Sequence, residues 1–127
     1  MDIRGHVEFR NVWWSAEGQQ VLKGISFKAP AGSTIAIMGE TGSGKSSLVH
    51  LICRFYDPDS GTVLIDGTDA RTINLAVLRE NVGLVAQETF LFSETMYNNL
   101  TYGRRGAPPE FVQRVAGQTQ AHMFIRN

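Results

Sequence analysis

The segment Gly39-Glu40-Thr41-Gly42-Ser43-Gly44-Lys45-Ser46 decides the fold of this sequence. It fits the pattern of a glycine, four residues, a second glycine, a lysine, and a serine or threonine, which is typical of a loop that wraps the phosphates of a nucleotide. Glycines let backbone amides approach an anion closely, and the helix that follows adds the positive end of its dipole. The segment therefore predicts a site for a nucleoside triphosphate.

Individual positions of this phosphate loop have separate predicted roles. Lys45 can reach the terminal phosphates as a point charge, and the Ser46 hydroxyl can ligate the Mg²⁺ that bridges them. Ser47 is placed to add a hydrogen bond from the first turn of the helix. Lys45 is thus a predicted catalytic as well as binding residue. The predicted binding set is Gly39, Glu40, Thr41, Gly42, Ser43, Gly44, Lys45, Ser46 and Ser47.

The sequence on both sides of the loop supports this interpretation. Residues 34–38 are a continuous apolar run, the pattern of a strand buried on both faces. After Lys45, apolar residues recur at helical spacing as far as Phe55, and the turn at residues 57–61 ends the helix. Strand, loop and helix in this order are the context that the motif requires, so a chance match is rare.

The remaining elements are predicted from periodicity and turn residues. The predicted strands are 7–12, 21–27, 62–65, 68–70 and 82–86, with Asp66-Gly67 as a hairpin turn. The predicted helices are 75–81, a turn of helix at 93–100 with Ser93 as its cap, 108–116, and a helix beginning at 121–125.

Composition limits the classes of function. The 127 residues suit one domain or part of one. Twelve basic residues balance twelve acidic ones, so no overall field favours nucleic acid as a partner. The apolar runs are far shorter than the roughly 20 residues that a membrane-spanning helix needs. The single cysteine, Cys53, cannot form an internal disulfide and suits a reducing compartment.

With the loop placed, nearly the whole chain resembles the nucleotide-binding domain of ATP-binding cassette (ABC) transporters of the exporter type. The segments that carry the resemblance are 21–27, 54–58, 60–61, 65–67, 78–79 and 85–93. The resemblance implies an α/β fold: a partial P-loop NTPase core with an N-terminal antiparallel β-subdomain and the start of a helical subdomain. It also implies ATP and Mg²⁺ as cofactors.

The resemblance divides the chain into parts of one truncated domain, 1–127. Residues 1–34 and 62–70 would form the antiparallel β part, 35–61 and 71–103 the P-loop core, and 104–127 the start of the helical subdomain. By the same resemblance, Gln87 would be a catalytic residue that senses Mg²⁺ and the attacking water. Part of the segment 90–92 would face the coupling helices of a transmembrane domain.

The family usually stacks an aromatic ring of its first hairpin on adenine, and the corresponding position here is near Ala16, which has no ring. Two alternatives follow. Trp14, or its neighbour Trp13, substitutes for the stacking ring, or the site lacks this contact. Trp14 is the candidate for the first alternative, although paired aromatic residues at a strand end are about as often packing residues.

The resemblance implies further partners and a place of action. The partners would be the transmembrane domain of an exporter and a second nucleotide-binding domain, at the cytoplasmic face of a membrane. After Gln87 the sequence has no apolar strand ending in Asp-Glu, no later histidine in the family's switch position and no Leu-Ser-Gly-Gly-Gln signature. We therefore expect little ATP hydrolysis from this chain alone.

Two other functions stay open at this stage. The chain can be a module that binds nucleotide or a partner without turnover. It can also be another P-loop enzyme, such as a small-molecule kinase or a GTPase. The lack of an Asn-Lys-x-Asp guanine-reading motif disfavours a GTPase, and a kinase gives no reason for the segment around Gln87.

Overall fold

The computed structural model describes residues 2–88 and 90–125, which form two compact units. The first unit ends at Gly83 and the second begins at Leu84. The phosphate loop belongs to the first unit, and Gln87 belongs to the second. Each unit is therefore described by itself.

An antiparallel sheet of four strands forms the first unit. The strands are β1 (Val7–Ala16), β2 (Gln19–Ala29), β3 (Ser60–Ile65) and β4 (Thr68–Asp69), in the order β2-β1-β3-β4. The central strand β1 pairs with β2 on one side and with β3 on the other, and its register shifts beyond residue 9. The predicted antiparallel strands are confirmed, and β1 and β2 extend beyond the predicted bounds.

The predicted Asp66-Gly67 turn joins β3 to β4, with φ angles of 50° and 80°. The Asp66 carboxylate accepts hydrogen bonds from the backbone amides of Arg4 (2.6 Å), Gly5 (3.4 Å) and His6 (2.8 Å). These bonds, the one from His6 above all, lower the pKa of the Asp66 carboxyl. The turn thereby fixes the chain that leads into β1.

Two helices pack with the sheet in the first unit. Helix α1 (Lys45–Ile52) follows the phosphate loop, and α2 (Leu75–Asn81) begins after Asn74, whose side chain accepts hydrogen bonds from two amides of the first turn. A 3₁₀ turn (Ala70–Thr72) leads into α2. The largest side chains buried in this core are those of Phe9, Leu51, Ile65, Leu78 and Val12.

The structure contradicts the prediction of strands at residues 34–38 and 82–86. Neither segment is a strand. Both expose apolar side chains, and Met38 is 90% exposed and Val85 97% exposed. A strand needs a neighbour for its backbone groups, and none of the four strands in the described ranges pairs with either segment. The predicted helix also ends early, since α1 stops at Ile52 and Phe55 lies outside it.

The described residues of the second unit form three short helices, α3 (Met96–Leu100), α4 (Pro109–Gln118) and α5 (His122–Ile125). The predicted cap Ser93 is wrong. Thr95 caps α3 instead, because its side chain accepts a hydrogen bond from the Asn98 amide. No helix in residues 2–88 or 90–125 is long and apolar enough to cross a bilayer.

Asn99 holds the turn before α3 with four hydrogen bonds. Its Oδ1 accepts from the Phe92 amide at 2.8 Å. Its Nδ2 donates to the backbone oxygens of Phe92 (3.1 Å), Glu94 (3.3 Å) and Thr95 (3.0 Å). The Phe92 ring in turn stacks on Tyr102, with centroids 4.6 Å apart. Hydrogen bonds and aromatic contacts of Phe92 therefore fix this turn.

Candidate functional site

The Lys45 side chain bridges the two arms of the phosphate loop. Its ammonium donates hydrogen bonds to the backbone oxygens of Gly39 (2.7 Å) and Glu40 (2.6 Å), and to the Ser43 hydroxyl at 3.3 Å. A further bond runs from the Ser43 amide to the Glu40 oxygen at 3.2 Å. These contacts place a positive charge inside the loop and keep the loop closed around it.

Glycine is favoured at two positions of this loop for different reasons. A Cβ on Gly39 would lie 2.6 Å from the Ser43 hydroxyl oxygen. Gly44 has a φ of 92°, and a Cβ there would lie 2.9 Å from the Leu22 side chain of β2. A side chain at Gly39 would displace the Ser43 hydroxyl, and one at Gly44 would strain the backbone and press on β2. The contacts of the folded loop therefore explain why the motif has glycine at positions 39 and 44.

The N-terminus of α1 presents backbone donors at the end of the loop. The first helical bond runs from the Leu48 amide to the Gly44 oxygen, and Gly44 supplies no side-chain cap. The amides of Lys45, Ser46 and Ser47 consequently have no partner within the helix. Since the helix dipole favours negative charge at this end, the donor set fits a phosphate group.

Charge in the loop is not neutralised by a nearby carboxylate. In the ranges that the structure describes, the ion pairs join Glu8 to Arg10 and Lys28, Arg54 to Asp57, and Arg71 to Asp69. None of them includes Lys45. The oxygens that accept hydrogen bonds from the Lys45 ammonium are neutral. The positive charge of Lys45 is therefore available to an anion.

The other predicted binding residues of the loop lie at the surface. Glu40, Thr41 and Ser46 are exposed, and Ser47 is half-buried in the first turn of α1. The exposed Ser46 hydroxyl is accessible to a metal ion that accompanies a phosphate. The ligand role of Ser46 stays a prediction.

The two tryptophans of β1 are packed in different ways. The Trp14 ring lies 5.1 Å from the Tyr56 ring and packs against the buried core. The Trp13 indole donates to the Asn11 side chain at 3.1 Å, and its ring lies within 3.2 Å of where a Cβ on Gly24 would stand. Contact of Trp14 with a nucleotide stays a prediction.

Gln87 is exposed in a bend of the second unit. The strand that was predicted to precede it is not formed, so its catalytic and metal-binding roles stay predictions. The nearby segment 90–92, which was predicted to face a transmembrane domain, is exposed, with Phe90 at 77% and Leu91 at 67%.

Asn99 was not anticipated from the sequence. The sequence carries no signal for it, because its bonds to Phe92, Glu94 and Thr95 depend on the folded turn.

Comparison with known proteins gives consistent results. The family model described as "ABC transporter" matches residues 22–126. The uncharacterized ABC transporter ATP-binding protein YfiC of Bacillus subtilis is 46% identical over 122 residues, which are 95% of this chain and 20% of that protein. The mitochondrial ABC transporter B family member 24 of Arabidopsis thaliana is 43% identical over 122 residues, again 95% of this chain and 18% of that protein.

A solved structure of a bacterial Atm1-family ABC exporter with ATP bound is similar over 100% of this chain and 23% of its own, with a TM-score of 0.93 and 38% identity. This similarity confirms the expected partial P-loop NTPase fold with an antiparallel β part. The chain spans about a fifth of the length of these relatives. Because the family model matches far more than half of its residues, this chain belongs to the ABC transporter family.

Proposed function

We propose that this chain binds Mg²⁺ and ATP at the phosphate loop and is the ATP-binding part of an ABC exporter. The observation that carries the proposal is the Lys45 ammonium, held by the loop beside the open N-terminus of α1. Backbone amides and one lysine charge are the groups that hold the phosphates of a nucleotide in P-loop proteins. The similarity to an exporter with ATP bound supports the choice of ligand.

Each polar group of the loop has a defined task in this proposal. The amides of residues 44–47 would hold phosphate oxygens, and Lys45 would exchange its neutral acceptors for phosphate oxygens. Ser46 would ligate Mg²⁺, which supplies positive charge to the phosphates. Gln87, in the second unit, is a separate candidate ligand. The exchange at Lys45 is favourable because a hydrogen bond between two charged groups is stronger than one to a neutral oxygen.

The activity of the whole protein is part of the same proposal. As one part of a longer exporter, the chain would act with a transmembrane domain and a second nucleotide-binding domain at the cytoplasmic face of a membrane. The exposed Phe90 and Leu91 are suited to an apolar protein partner, because exposed apolar patches mark such contacts. ATP binding and hydrolysis in the full protein would drive transport of a substrate.

The test is calorimetric titration of the chain with ATP in the presence of Mg²⁺, for three proteins. The unmodified chain is expected to bind saturably. Lys45→Ala is expected to bind roughly ten- to a hundredfold more weakly, because a hydrogen bond to a charged group is lost. Lys23→Ala is the control, since Lys23 is exposed on β2 and lies outside the loop.

The outcomes separate the open alternatives. Equal affinity of Lys45→Ala and the unmodified chain would contradict the proposed site. Saturable binding with no release of phosphate in a parallel assay would identify this chain as a binding module without turnover. Circular dichroism of each variant shows whether a loss of binding reflects a loss of fold.

A further inference from the structure

The phosphate site proposed above uses the N-terminal end of α1, so a movement of this helix changes the site. Helix α1 has eight residues, and a helix this short is marginal in water without partners from the rest of the fold. Leu48 and Leu51 hold one face of it in the core. Because apolar contacts are not directional, they define the position of the helix along its own axis only weakly. Directional contacts come from the other end of α1.

Arg79 of α2 binds the C-terminal end of α1. Its Nε donates a hydrogen bond to the backbone oxygen of Cys53 at 3.4 Å, and its Nη2 donates to that of Arg54 at 3.0 Å. The guanidinium also lies over the Phe55 ring, 5.4 Å from the ring centroid. Carbonyls at the end of a helix have no partner within it, and a positive charge is favourable at this end of the helix dipole. Arg79 therefore meets the end of α1 with both hydrogen bonds and charge.

Arg54 adds a second link in the opposite direction. Its backbone has a φ of 51°, which is uncommon for a residue other than glycine and persists where surrounding contacts hold it. The Arg54 side chain is 19% exposed, and its Nη1 donates to the backbone oxygen of Ile73 at 3.3 Å. Ile73 lies directly before Asn74, the cap of α2. The end of α1 and the start of α2 are therefore joined by hydrogen bonds in both directions.

Helix α2 is a firm base for Arg79. The Asn74 side chain caps it by accepting hydrogen bonds from two amides of the first turn, and Leu78, the neighbour of Arg79, is fully buried. The phosphate loop lies at the opposite end of α1, about 12 Å away for eight residues at about 1.5 Å each. Arg79 can therefore act on a bound phosphate through α1 and not by direct contact.

We infer that Arg79 is a positioning residue for the phosphate site. By holding the C-terminal end of α1, it fixes the helix along its axis and keeps the amides of Lys45, Ser46 and Ser47 directed at one place. A displaced set of donors binds phosphate more weakly even in a folded chain, because hydrogen bonds weaken steeply with poor geometry. The inference rests on the nucleotide site proposed above and adds a residue outside the loop to it.

The experiment is calorimetric titration of the unmodified chain, Arg79→Gln and Arg71→Gln with ATP in the presence of Mg²⁺. Arg79→Gln is expected to bind ATP roughly fivefold or more weakly, which is the size of a typical coupling between two sites. Arg71→Gln is the matched control, because Arg71 also lies shortly before α2 but its guanidinium binds the Asp69 carboxylate. Its affinity is expected to equal that of the unmodified chain.

A spectroscopic measurement separates positioning from stability. A lower free energy of unfolding alone leaves the affinity of the folded molecules unchanged. Nuclear magnetic resonance of the nucleotide-free chains should show the amide resonances of Ser46 and Ser47 shifted in Arg79→Gln and unshifted in Arg71→Gln. Arg79→Lys is the conservative variant. Its ammonium keeps the charge but lacks the planar fork, so we expect an intermediate loss of affinity of roughly two- to fivefold.

The results that would overturn the inference differ from those that would remove the nucleotide site. Equal affinity of Arg79→Gln and the unmodified chain, an equal loss in Arg71→Gln, or unshifted Ser46 and Ser47 resonances would overturn the inference and leave the site intact. If Arg79→Gln does not fold by circular dichroism, Arg79→Lys decides. Loss of the fold in both Arg79 variants would assign Arg79 to folding and overturn its positioning role. Failure of the unmodified chain to bind ATP would remove both the site and the inference.

Discussion

Strand β3 and residues 35–38 have similar apolar sequences but different structures. In β3, Val63, Leu64 and Ile65 are all buried. In the other segment, Ile35, Ile37 and Met38 are exposed at 47%, 40% and 90%. Both were predicted to be strands, and only β3 is one.

The difference shows that pairing, and not apolar content alone, determines which segment becomes a strand. β3 has β1 beside it in register, with Val7 opposite Ile65 and Phe9 opposite Val63. The four strands of the described ranges leave residues 35–38 without such a neighbour. Without a paired backbone, the segment gains little from its β-branched side chains, because β propensity reflects packing against neighbouring strands.

The largest expected effect comes from removing a ring in the paired region. Phe9→Ala should lower the free energy of unfolding by about 3–5 kcal/mol, since Phe9 is 1% exposed and stacked on Phe27. Ile37→Ala in the unpaired segment should change it by less than about 0.5 kcal/mol. Urea unfolding of both variants measures the two values. Similar losses would mean that residues 35–38 are packed as firmly as the sheet.

A smaller effect distinguishes two glycines of the hairpin that share the same φ of 80°. A Cβ on Gly61 would overlap the backbone carbonyl of Asn11 in β1, whereas a Cβ on Gly67 meets nothing within 4 Å. Gly67→Ala should cost about 1–2 kcal/mol for its backbone conformation alone. Gly61→Ala should cost about 2–4 kcal/mol, because it also forces β3 away from β1. Equal costs would mean that the pairing of β1 and β3 tolerates this displacement.

In the second unit, whose described residues form no strand, order is expected to depend on side-chain hydrogen bonds. Asn99→Ala should cost about 1–3 kcal/mol and speed hydrogen exchange of the Phe92 amide, which loses its acceptor. Asn98→Ala is the matched control, because the Asn98 side chain makes one bond, to Glu94. Nuclear magnetic resonance measures the exchange. Unchanged protection of Phe92 in Asn99→Ala would show that another group fixes this turn.

The smallest effect concerns pH and the charged edge of the sheet. The hydrogen bond from Arg10, and to a lesser degree that from Lys28, lowers the pKa of the Glu8 carboxyl to about 2 despite its burial. A lowered pKa in the folded state stabilises the fold above the ordinary value near 4.5, and this contribution is lost as pH falls toward 2. Glu8→Gln should therefore flatten the decline of stability between pH 5 and about 2. Urea unfolding at several pH values measures the free energy of unfolding of both proteins. An equally steep decline of this free energy with falling pH in Glu8→Gln and in the unmodified chain would contradict this role.

Features set by local chemistry could be predicted from the sequence. The helix at 75–81 was predicted with the bounds that the structure has. The structure adds the Asn74 cap, which also lies next to the helix in the sequence. The Asp66-Gly67 turn was also predicted, because the two residues of such a turn favour positive φ. The phosphate loop was recognised because each of its positions has a steric or electrostatic requirement.

Features that depend on distant neighbours could not be predicted. The exposure of residues 35–38 depends on which strands lie beside them, and an apolar run carries no information about this. The cap of α3 moved from Ser93 to Thr95 because Asn99 fixes the backbone of the intervening turn. The contact of Lys45 with Ser43 depends on the folded shape of the loop. The role of Gln87 stays a prediction.

The Asp66 carboxylate, with three amides of residues 4–6 bonded to it, has a mechanical consequence. Tension applied to the start of the chain would be carried by these bonds into the β3–β4 turn, and from there across the ladder of the sheet. The phosphate loop meets this sheet at its far edge, where Gly44 lies beside Leu22 of β2. Pulling at the N-terminal end should therefore strain the β3–β4 turn before it strains the phosphate loop.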